Sequence, residues 1–470
     1  MLLKYFYEPK LAHASYLVGC QATGEAIIID PGRDVEGYLH EAEANDLQIV
    51  AAAETHIHAD FVSGARELAE RTGARLYLSD EGDEAWKYEF VDETDHVLLK
   101  DGDRFMVGNV RFDVLHTPGH TPEHVSFLMT DTAGADRPMG IFTGDFVFVG
   151  SVGRPDLLEK AAGIRDTAVS SARQMFHSVQ RFKELPDYLQ VWPAHGAGSA
   201  CGKGLGAVPS TTVGYEKMFN PALSFADEGM FVEALLEGQP EPPKYFAVMK
   251  RVNKEGPPVL HTLPTPEHLP ARRLLALLEE GATIVDTRDP EAFAGRHIPG
   301  TLNIPLPELA NWAGWLIDYE RPLYLIIDTE AVDSAVHDLV YIGLDDIGGY
   351  FEPRAIDVLA EAGHPPQSYE VATAERLADR ILDREVTLLD VRSESEWAEG
   401  RLPGAVHIML GYLPERAQEV IDGKPIVVQC RTGARSAIGA SILQAAGVEE
   451  VINMQGGLRD WTTAKLPVEN

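Results

Sequence analysis

The chain has 470 residues and a formal net charge of −33. This charge disfavours nucleic acid and anionic membranes as partners, so an anionic substrate would need a locally basic pocket. Hydrophobic residues make up 45% of the chain and charged residues 24%, which are ordinary globular values, and the length suits about three domains of roughly 150 residues.

The N-terminal part of the chain, residues 1–235, alternates β-rich runs with helical patterns and is predicted to form one domain. Strands are predicted at Glu25–Asp30, Val110–Leu115 and Val125–Met129. Helices are predicted at Gly64–Thr72 and Ala161–Phe176. Polar residues directly follow several of the apolar runs, which places them on loops at the ends of strands.

A linker rich in Pro and Gly is predicted at residues 236–261, because turn residues dominate there. An internal repeat follows, in which residues 283–300 return at 387–404 with the same offset throughout. Each copy is typical of a buried parallel strand ending in Asp-x-Arg, a short helix and a Pro-Gly turn. The pattern resembles the rhodanese domain, and the two copies are expected to cover residues 262–365 and 368–470.

Histidines and aspartates follow several predicted strands of the first domain. The stretch Thr55–Phe61 has the sequence THIHADF, and later loops add His120, Asp145 and His195. In this order the residues resemble the metal-binding signature of the metallo-β-lactamase superfamily, whose αββα sandwiches gather such loops along one edge. Binuclear hydrolases of that superfamily carry a second-metal His where this chain has Phe61. An apolar ring cannot ligate a cation, so the resemblance predicts a site for one metal.

Within the superfamily, the chain most resembles the persulfide dioxygenases, whose iron is held by two His and one Asp. By motif position, the resemblance implies His56, His120 and Asp145 as the ligands. Such a ligand set leaves positions open for water, O2 and substrate, as non-haem Fe(II) oxygenases require. A structural zinc site would instead be closed by four protein ligands. We therefore expect one mononuclear non-haem Fe(II) per chain, with zinc as a substitute in recombinant protein.

Three further residues of the motif are expected to orient the ligands or the substrate: His58, Asp60 and His195. Direct ligation by His58 stays open as an alternative. Arg154 lies in a Gly-Arg-Pro-Asp-Leu stretch that resembles Gly-Arg-Thr-Asp-Phe of the persulfide dioxygenases, although Pro155 replaces the Thr. Arg154 is expected to neutralise substrate carboxylates or the forming sulfite, and a structural role is the alternative.

Cys201 lies in a glycine-rich run shortly after His195, and Lys203 nearby would favour its thiolate. Cys201 is expected to hold a persulfide beside the metal, a feature of fused dioxygenase–rhodanese proteins. The alternative is a small residue in a loop. Cys20 ends an apolar run and is interpreted as structural. The 3 cysteines are too few and too scattered for a disulfide framework.

The loop CRTGARS begins at Cys430, after a predicted buried strand and before a predicted helix. A Cys there faces backbone N–H groups at a helix N-terminus. The guanidiniums of Arg431 and Arg435 would add to the stabilisation of a thiolate and of an anionic persulfide. Small rhodaneses carry similar loops, so Cys430 is the predicted sulfur carrier. The first copy has Thr329 at this place, followed by acids, and is expected to be inert.

The expected fold is α/β and multidomain, with a metallo-β-lactamase αββα sandwich followed by two rhodanese-like domains that contain parallel sheets. The resemblance implies a dioxygenase that oxidises a low-molecular-weight or protein persulfide to sulfite with O2, in sulfide detoxification. Sulfur transfer through Cys430 would form or use thiosulfate. Two alternatives stay open: a glyoxalase-II-like thioester hydrolase with a sulfurtransferase module, and a sulfur carrier or sensor with a vestigial metal domain.

The sequence also bears on location and partners. The N-terminus lacks the regions of a signal peptide, and no apolar run approaches the ~20 residues of a membrane span. We therefore expect a cytoplasmic protein without nucleic acid or membrane partners. The expected assembly is a homo-oligomer, either a dimer or a tetramer, and the thiol that carries the persulfide stays open.

Overall fold

The computed structural model describes residues 1–157, 167–239 and 241–469. The chain divides into two compact units, Met1–Leu263 with Val340–Gly343, and Pro264–Leu339 with Leu344–Asn470. Part of the predicted helix Ala161–Phe176 lies outside the described residues. Among the described residues, no helix is long and apolar enough to cross a membrane.

Within its described residues, the first unit contains two six-stranded sheets and one short two-stranded sheet. The strands of the first sheet are β1 Leu2–Glu8, β2 His13–Cys20, β3 Glu25–Ile29, β4 Gln48–Ala53, β5 Arg75–Ser79 and β6 His96–Leu99. The other strands are β7 Arg104–Val107, β8 Val110–His116, β9 Val125–Asp131, β10 Gly140–Gly144, β11 Val147–Phe148, β12 Ser151–Val152, β13 Gln190–Pro193 and β14 Thr211–Thr212. The first sheet runs from β1 to β6 in order, the second has the order β14-β13-β10-β9-β8-β7, and β11 pairs with β12.

The two large sheets face each other across an apolar core. Val18 and Ile27 of the first sheet belong to the same buried cluster as Phe112 and Phe127 of the second. Helices cover the opposite face of each sheet. Because both faces are covered, the strands are nearly continuous apolar runs, and their predicted ends agree with the observed ends to within two residues. The αββα sandwich is confirmed.

The α-helices in the described part of the first unit are Glu36–Ala44, Ala65–Thr72, Ala168–Lys183, Val213–Phe219, Glu228–Leu236 and Tyr245–Glu255. The last of them lies inside the predicted linker at residues 236–261. Its residues Phe246 and Met249 are buried, and this apolar spacing on one face allows a helix between the proline-rich stretches. The predicted linker therefore contains a packed helix of the first unit.

The second unit contains a four-stranded and a five-stranded sheet. The strands are β15 Thr283–Asp286, β16 Leu302–Asn303, β17 Leu323–Ile326, β18 Ile347–Phe351, β19 Glu370–Thr373, β20 Thr387–Asp390, β21 Val406–His407, β22 Ile426–Gln429 and β23 Val451–Gln455. The orders are β16-β15-β17-β18 and β19-β23-β22-β20-β21. The helices in this part of the chain are Arg272–Glu279, Pro290–Gly295, Leu309–Leu316, Val332–Tyr341, Ala355–Glu361, Ala374–Leu382, Glu394–Glu399, Leu413–Arg416, Ala434–Ala445 and Gly457–Thr463.

The internal repeat lies on equivalent elements of the two sheets. β15 and β20 each pair in parallel with a strand on either side. The Asp-x-Arg at the end of each strand is an ion pair, with distances of 2.6 Å between Arg288 and Asp286 and 2.7 Å between Arg392 and Asp390. This pair ties each strand to the turn that follows it. The predicted parallel sheets of the repeat are confirmed.

Candidate functional site

Three predicted metal ligands meet at one edge of the sandwich. His56 follows β4, His120 lies between β8 and β9, and Asp145 follows β10. The Nε2 atoms of His120 and His56 lie 3.4 Å and 3.9 Å from Asp145 Oδ2. One potential ligand atom from each residue lies within 4.8 Å of the other two, and all three side chains are buried. The structure therefore brings two imidazoles and one carboxylate together.

The carboxylate of Asp145 tests whether these residues suit a metal. Asp145 is fully buried, and no N–H or O–H group of the described residues donates a hydrogen bond to its carboxylate, although Nε2 of His120 and of His195 each lie 3.4 Å from one of its oxygens. A buried carboxylate without donors is costly unless a cation compensates its charge. Imidazole and carboxylate are ligands that iron and zinc both accept. The residues present therefore fit a metal ion.

The second ring nitrogen of each candidate histidine ligand is also engaged. His56 Nδ1 lies 3.0 Å from Thr55 Oγ1, and that hydroxyl donates to Asp30 Oδ2 at 2.9 Å. His120 Nδ1 donates to the backbone carbonyl of Arg154 at 3.1 Å. Such contacts fix the rings and leave Nε2 for a metal. Burial lowers the pKa of both histidines, which favours the neutral imidazole that metal binding requires.

His58 lies beside this group but has different partners. Its Nε2 is 2.9 Å from Glu54 Oε2 and 3.2 Å from Asp30 Oδ1, and all three side chains are buried. Burial lowers the pKa of His58, but the two carboxylates outweigh burial and raise that pKa well above its ordinary value. Sequence analysis missed Glu54. A charged residue at the end of the apolar run Gln48–Ala53, four positions before His58, was the available signal.

A second group consists of Asp60, His195 and Cys201, whose potential ligand atoms lie within 4.8 Å of one another. His195 Nε2 is 3.0 Å from Asp60 Oδ2 and 3.4 Å from Asp145 Oδ1. Burial lowers the pKa of His195, but the carboxylates of Asp145 and Asp60 outweigh burial and raise that pKa to about 9. The motif residues that were expected to orient ligands or substrate therefore lie next to the candidate ligands.

Cys201 is buried in an acidic surrounding. Burial, followed by the carboxylates of Asp60 and Asp145, raises the pKa of its thiol well above the ordinary value. This raised pKa contradicts the expectation that Lys203 favours the thiolate. The Lys203 ammonium instead donates to the backbone carbonyl of Glu237 at 3.2 Å. Cys201 therefore lies near the candidate metal ligands, in surroundings that disfavour its thiolate.

Phe61 fills the space beside His58. It is fully buried, and its ring centroid lies 3.8 Å from that of His13 and 4.4 Å from that of His58. Asn253, from the helix inside the predicted linker, donates to the backbone carbonyls of His58 at 2.8 Å and Phe61 at 2.7 Å. Sequence analysis missed Asn253, since nothing local distinguishes this residue from a solvated amide.

Arg154 is fully buried and makes contacts within the protein. Its Nε and Nη2 donate to the carboxylate of Asp156, both at 2.8 Å, and its Nη1 donates to the carbonyl of Ala200 at 3.3 Å. Its backbone N–H donates to the carbonyl of Cys201 at 3.0 Å. Since its own carbonyl accepts from His120, Arg154 joins the loop of a candidate ligand to the loop of Cys201. These contacts fit the structural alternative better than a contact with substrate.

Cys430 lies in the loop between β22 and the helix Ala434–Ala445. The backbone N–H of Gly433 donates to its Sγ at 3.1 Å, and the Ser436 hydroxyl lies 3.5 Å from the same sulfur. Cys430 is only 1% exposed. The backbone of the loop and the start of the helix thus present donors to the sulfur, as the sequence predicted.

The two arginines of this loop differ in their surroundings. Arg431 is exposed, whereas Arg435 forms a bidentate pair with Glu396 at 2.6 and 2.7 Å. Burial raises the pKa of Glu396, but hydrogen bonds from Arg435 outweigh burial and lower it to about 2. Glu396 was missed, although a Ser-x-x-Glu capping box marks its helix.

In the first copy, the Thr329 hydroxyl donates to Glu352 at 2.9 Å, so an acid lies where a sulfur carrier would need donors.

Comparison with known families follows the same division of the chain. The metallo-beta-lactamase superfamily model matches residues 9–195, and the rhodanese-like domain model matches residues 270–344 and 373–464. A crystal structure of a metallo-beta-lactamase from Staphylococcus aureus subsp. aureus COL is 44% identical with a TM-score of 0.68, and the match covers 75% of this chain and 98% of that chain. The chain belongs to the metallo-β-lactamase superfamily. In this member, the metallo-β-lactamase domain is followed by rhodanese-like domains.

Two curated relatives resemble parts of this superfamily member. The beta-lactamase hydrolase-like protein of Xylella fastidiosa (strain 9a5c) is 30% identical over 290 residues, which are 56% of this chain and 61% of that protein. The chain thus spans less than two thirds of the length of that relative. Hydroxyacylglutathione hydrolase GloC of Haemophilus influenzae is 29% identical over 213 residues, which are 42% of this chain and 87% of that protein.

Proposed function

We propose that this chain is a mononuclear non-haem iron persulfide dioxygenase coupled to rhodanese sulfur transfer. A persulfide R–S–SH would react with O2 and water to give the thiol R–SH, sulfite and two protons. The observation that supports this function is the convergence of His56, His120 and the fully buried carboxylate of Asp145. Phe61 supports it further, because it stands where binuclear hydrolases carry a ligand for a second metal.

Several residues around the site would contribute to the reaction. A bound Fe(II) ion would supply the redox chemistry toward O2 that zinc lacks. Two imidazoles and one carboxylate would hold it and leave open positions for substrate and O2. Phe61 closes one side of the site with an apolar ring and so excludes water there. His195, 3.4 Å from Asp145, would orient the carboxylate or the incoming persulfide.

The second half of the proposal concerns Cys430. Sulfite would attack the outer sulfur of a Cys430 persulfide, breaking the S–S bond to give thiosulfate and the Cys430 thiolate. The reverse reaction would load Cys430 from thiosulfate. The N–H of Gly433 and the hydroxyl of Ser436 lie at the sulfur where negative charge develops. Donors aimed at a developing charge stabilise it most strongly in a buried site.

The proposal extends to the setting of the reaction. Joining both activities in one chain would keep the reactive sulfur species at a high effective concentration. We place the protein in the cytoplasm, in persulfide and sulfide detoxification, as a dimer or tetramer. The substrates proposed are a small-molecule or protein persulfide, O2, and sulfite or thiosulfate.

Metal analysis combined with oxygen uptake tests this function. Protein loaded anaerobically with Fe(II) should hold about one iron per chain and should consume O2 on addition of glutathione persulfide, with release of sulfite. Zinc-loaded protein is the matched control and should consume none. Active protein that holds two tightly bound zinc ions per chain, or iron-loaded protein that is inert with every persulfide tested, would refute the proposal.

A second candidate function is favoured by the likeness to hydroxyacylglutathione hydrolase GloC. In that case a metal-bound hydroxide would attack the thioester carbonyl, and the rhodanese-like domains would act separately. Phe61 counts against this function, since it removes a ligand of the second metal. Hydrolysis of a hydroxyacylglutathione thioester by zinc-loaded protein, at a rate well above that of the metal-free protein, would support it over the dioxygenase.

A further inference from the structure

The helix Ala434–Ala445, called the cradle helix below, follows the Cys430 loop and is buried on every side along its centre. The Gly433 N–H and the Ser436 hydroxyl, which face the Cys430 sulfur, lie at its start. Residues 436–443 are all buried. The sheet of the same repeat covers one face of this helix, and a helix that is buried all round needs cover on its other faces as well. Another part of the chain therefore has to cover the outer face.

The first rhodanese-like repeat supplies this cover. Its strand β16 and its helix Pro290–Gly295 contact the cradle helix. The backbone N–H of Asn303, in β16, donates to Ser441 Oγ at 3.0 Å. Asn303 is fully buried, and its side-chain amide donates to two backbone carbonyls of the first repeat, both at 2.9 Å. A fixed strand end of the first repeat is thus bonded directly to the cradle helix.

A tryptophan of the first repeat makes a second contact. The ring of Trp315 is buried and lies so close to Gly411 that a Cβ added at Gly411 would overlap it. The same ring meets the ring of Tyr412 edge-on, with 5.7 Å between the centroids. Both residues belong to the turn Leu410–Tyr412, which itself contacts the cradle helix. The first repeat therefore reaches this helix at two places, directly and through the turn.

The connection between the repeats is bonded to both of them. Gln367 and His297 exchange backbone hydrogen bonds at 2.9 and 3.0 Å, which ties the connection to the first repeat. The side chain of Gln444, in the last turn of the cradle helix, donates to the carbonyl of Ser368 at 3.2 Å. Movement of the cradle helix away from the first repeat would break these bonds.

These contacts give the first repeat a role although it contains no cysteine. We propose that the first repeat positions the hydrogen-bond donors of Cys430 by holding the outer face of the cradle helix, with Trp315 and Ser441 as positioning residues. A packed helix shifts as a unit, so displacement of its outer face also displaces Gly433 and Ser436 at its start. Donors stabilise a developing charge only when they are correctly placed. The inference rests on the proposed sulfur transfer through Cys430.

Replacing Ser441 by Ala distinguishes this role from a role within the cradle helix alone. Ala favours a helix more than Ser does, so a residue that acts only within its own helix should slow amide hydrogen exchange there when it is changed to Ala. The variant also leaves the buried N–H of Asn303 without its acceptor, and this loss should speed exchange at residues 434–441 by ~5-fold or more. Transfer of sulfur from thiosulfate to cyanide should fall ~3-fold or more, in kcat, because the donors act where negative charge develops.

Trp315→Ala, compared with Phe351→Ala, tests the contact through the turn. Both side chains are buried aromatics of the first repeat, but Phe351 belongs to the apolar core of that repeat. Each substitution leaves a cavity in the first repeat. On the full chain, Trp315→Ala should speed exchange at residues 434–441 and should slow sulfur transfer ~10-fold or more. Phe351→Ala is the matched control and should change both by less than about twofold.

Three outcomes would overturn the proposal. The first is exchange at residues 434–441 that stays at the wild-type rate, or slows, in folded Ser441→Ala and Trp315→Ala. The second is faster exchange with undiminished sulfur transfer. The third is an equal loss in Trp315→Ala and Phe351→Ala, which would show general destabilisation of the first repeat. If Trp315→Ala fails to fold, the sign of the change in Ser441→Ala decides.

Hydrogen exchange needs no catalytic turnover, so failure of the proposed function can be recognised separately. Faster exchange in the variants of a protein whose wild type transfers no sulfur would refute sulfur transfer through Cys430 and leave the hold on the cradle helix standing. An active wild type whose variants keep both their exchange and their sulfur transfer would do the reverse.

Discussion

Replacing Gly433 by Ala should impair sulfur transfer by Cys430 while leaving the metal domain unaffected. Gly433 precedes the helix Ala434–Ala445, has a φ of 101°, and donates its N–H to Cys430 Sγ at 3.1 Å. A Cβ there would lie 3.2 Å from the backbone N of Gly456 and 3.3 Å from the carbonyl of Met454. Since both contacts are backbone atoms, the loop itself has to move.

The size of the effect follows from these contacts. An L-residue with this φ costs ~1–3 kcal/mol, and the loop can relieve that strain by turning the N–H away from the sulfur. A hydrogen bond to a charged group contributes ~1.5–3 kcal/mol. If the hydrogen bond from the Gly433 N–H to the Cys430 sulfur is lost in the step that releases the thiolate, the rate of sulfur transfer should fall ~10- to 150-fold.

The assay is steady-state transfer of sulfur from thiosulfate to cyanide, with persulfide-dependent oxygen uptake measured on the same preparation. Gly423→Ala is the matched control. Gly423 also has a positive φ, of 85°, but no heavy atom of the described residues beyond Gly423 itself and its two chain neighbours lies within 4 Å of its Cβ position. The control should carry a similar backbone strain and retain its sulfur transfer.

A Gly433→Ala variant that transfers sulfur within about twofold of the wild-type rate would refute the role of this N–H, since losing one hydrogen bond to a charged group should slow the reaction far more. A Gly423→Ala variant that loses as much activity as Gly433→Ala would also refute it. The second result would show that general destabilisation, rather than the contact with sulfur, sets the rate.

Three further predictions follow from other parts of the structure. His120→Ala should abolish persulfide-dependent oxygen uptake and leave thiosulfate:cyanide transfer largely intact, because the two sites lie in separate compact units; loss of both activities in a folded variant would contradict this. Cys430→Ser should remove sulfur transfer, and Thr329→Cys in that background should not restore it, because the acids around residue 329 repel an anionic persulfide; transfer near the wild-type rate would show a dormant site. Glu396→Gln should lower the free energy of unfolding by about 1 kcal/mol, a value reduced for partial exposure. Because the pKa of Glu396 is lowered to about 2, this difference in unfolding free energy should be full above pH 4.5 and should shrink as the pH falls toward 2. Urea titrations followed by tryptophan fluorescence measure it at each pH. A difference that does not change with pH would show that the pair with Arg435 is unimportant.

Much of the architecture could be predicted from local patterns in the sequence. The strands β3, β8 and β9 are nearly continuous apolar runs, so their ends could be located before the fold was known. The internal repeat and the Thr at position 329 are visible in the sequence alone. The candidate ligands His56, His120 and Asp145 follow strands of two sheets that share an edge, and the structure brings them together.

The tertiary structure decided which polar groups face each other. Glu54 lies four residues before His58, but only the folded loop shows that Nε2 of His58 lies close to the carboxylates of Glu54 and Asp30 and that its ring packs against Phe61. The sequence likewise suggested a thiolate at Cys201, whereas folding surrounds it with two carboxylates.

Arg435 and Glu396 show the same limit in the second unit, since they are 39 positions apart and form a bidentate pair. Apolar periodicity is a local property, because each strand or helix repeats its own pattern regardless of its neighbours. The partner of a buried charge depends on side-chain directions from several elements at once, and a charge left unpaired in the interior is costly. The sequence by itself therefore determined most of the elements, although not the helix Tyr245–Glu255, and indicated the candidate ligands, whereas only the tertiary packing assigned each buried charge its partner.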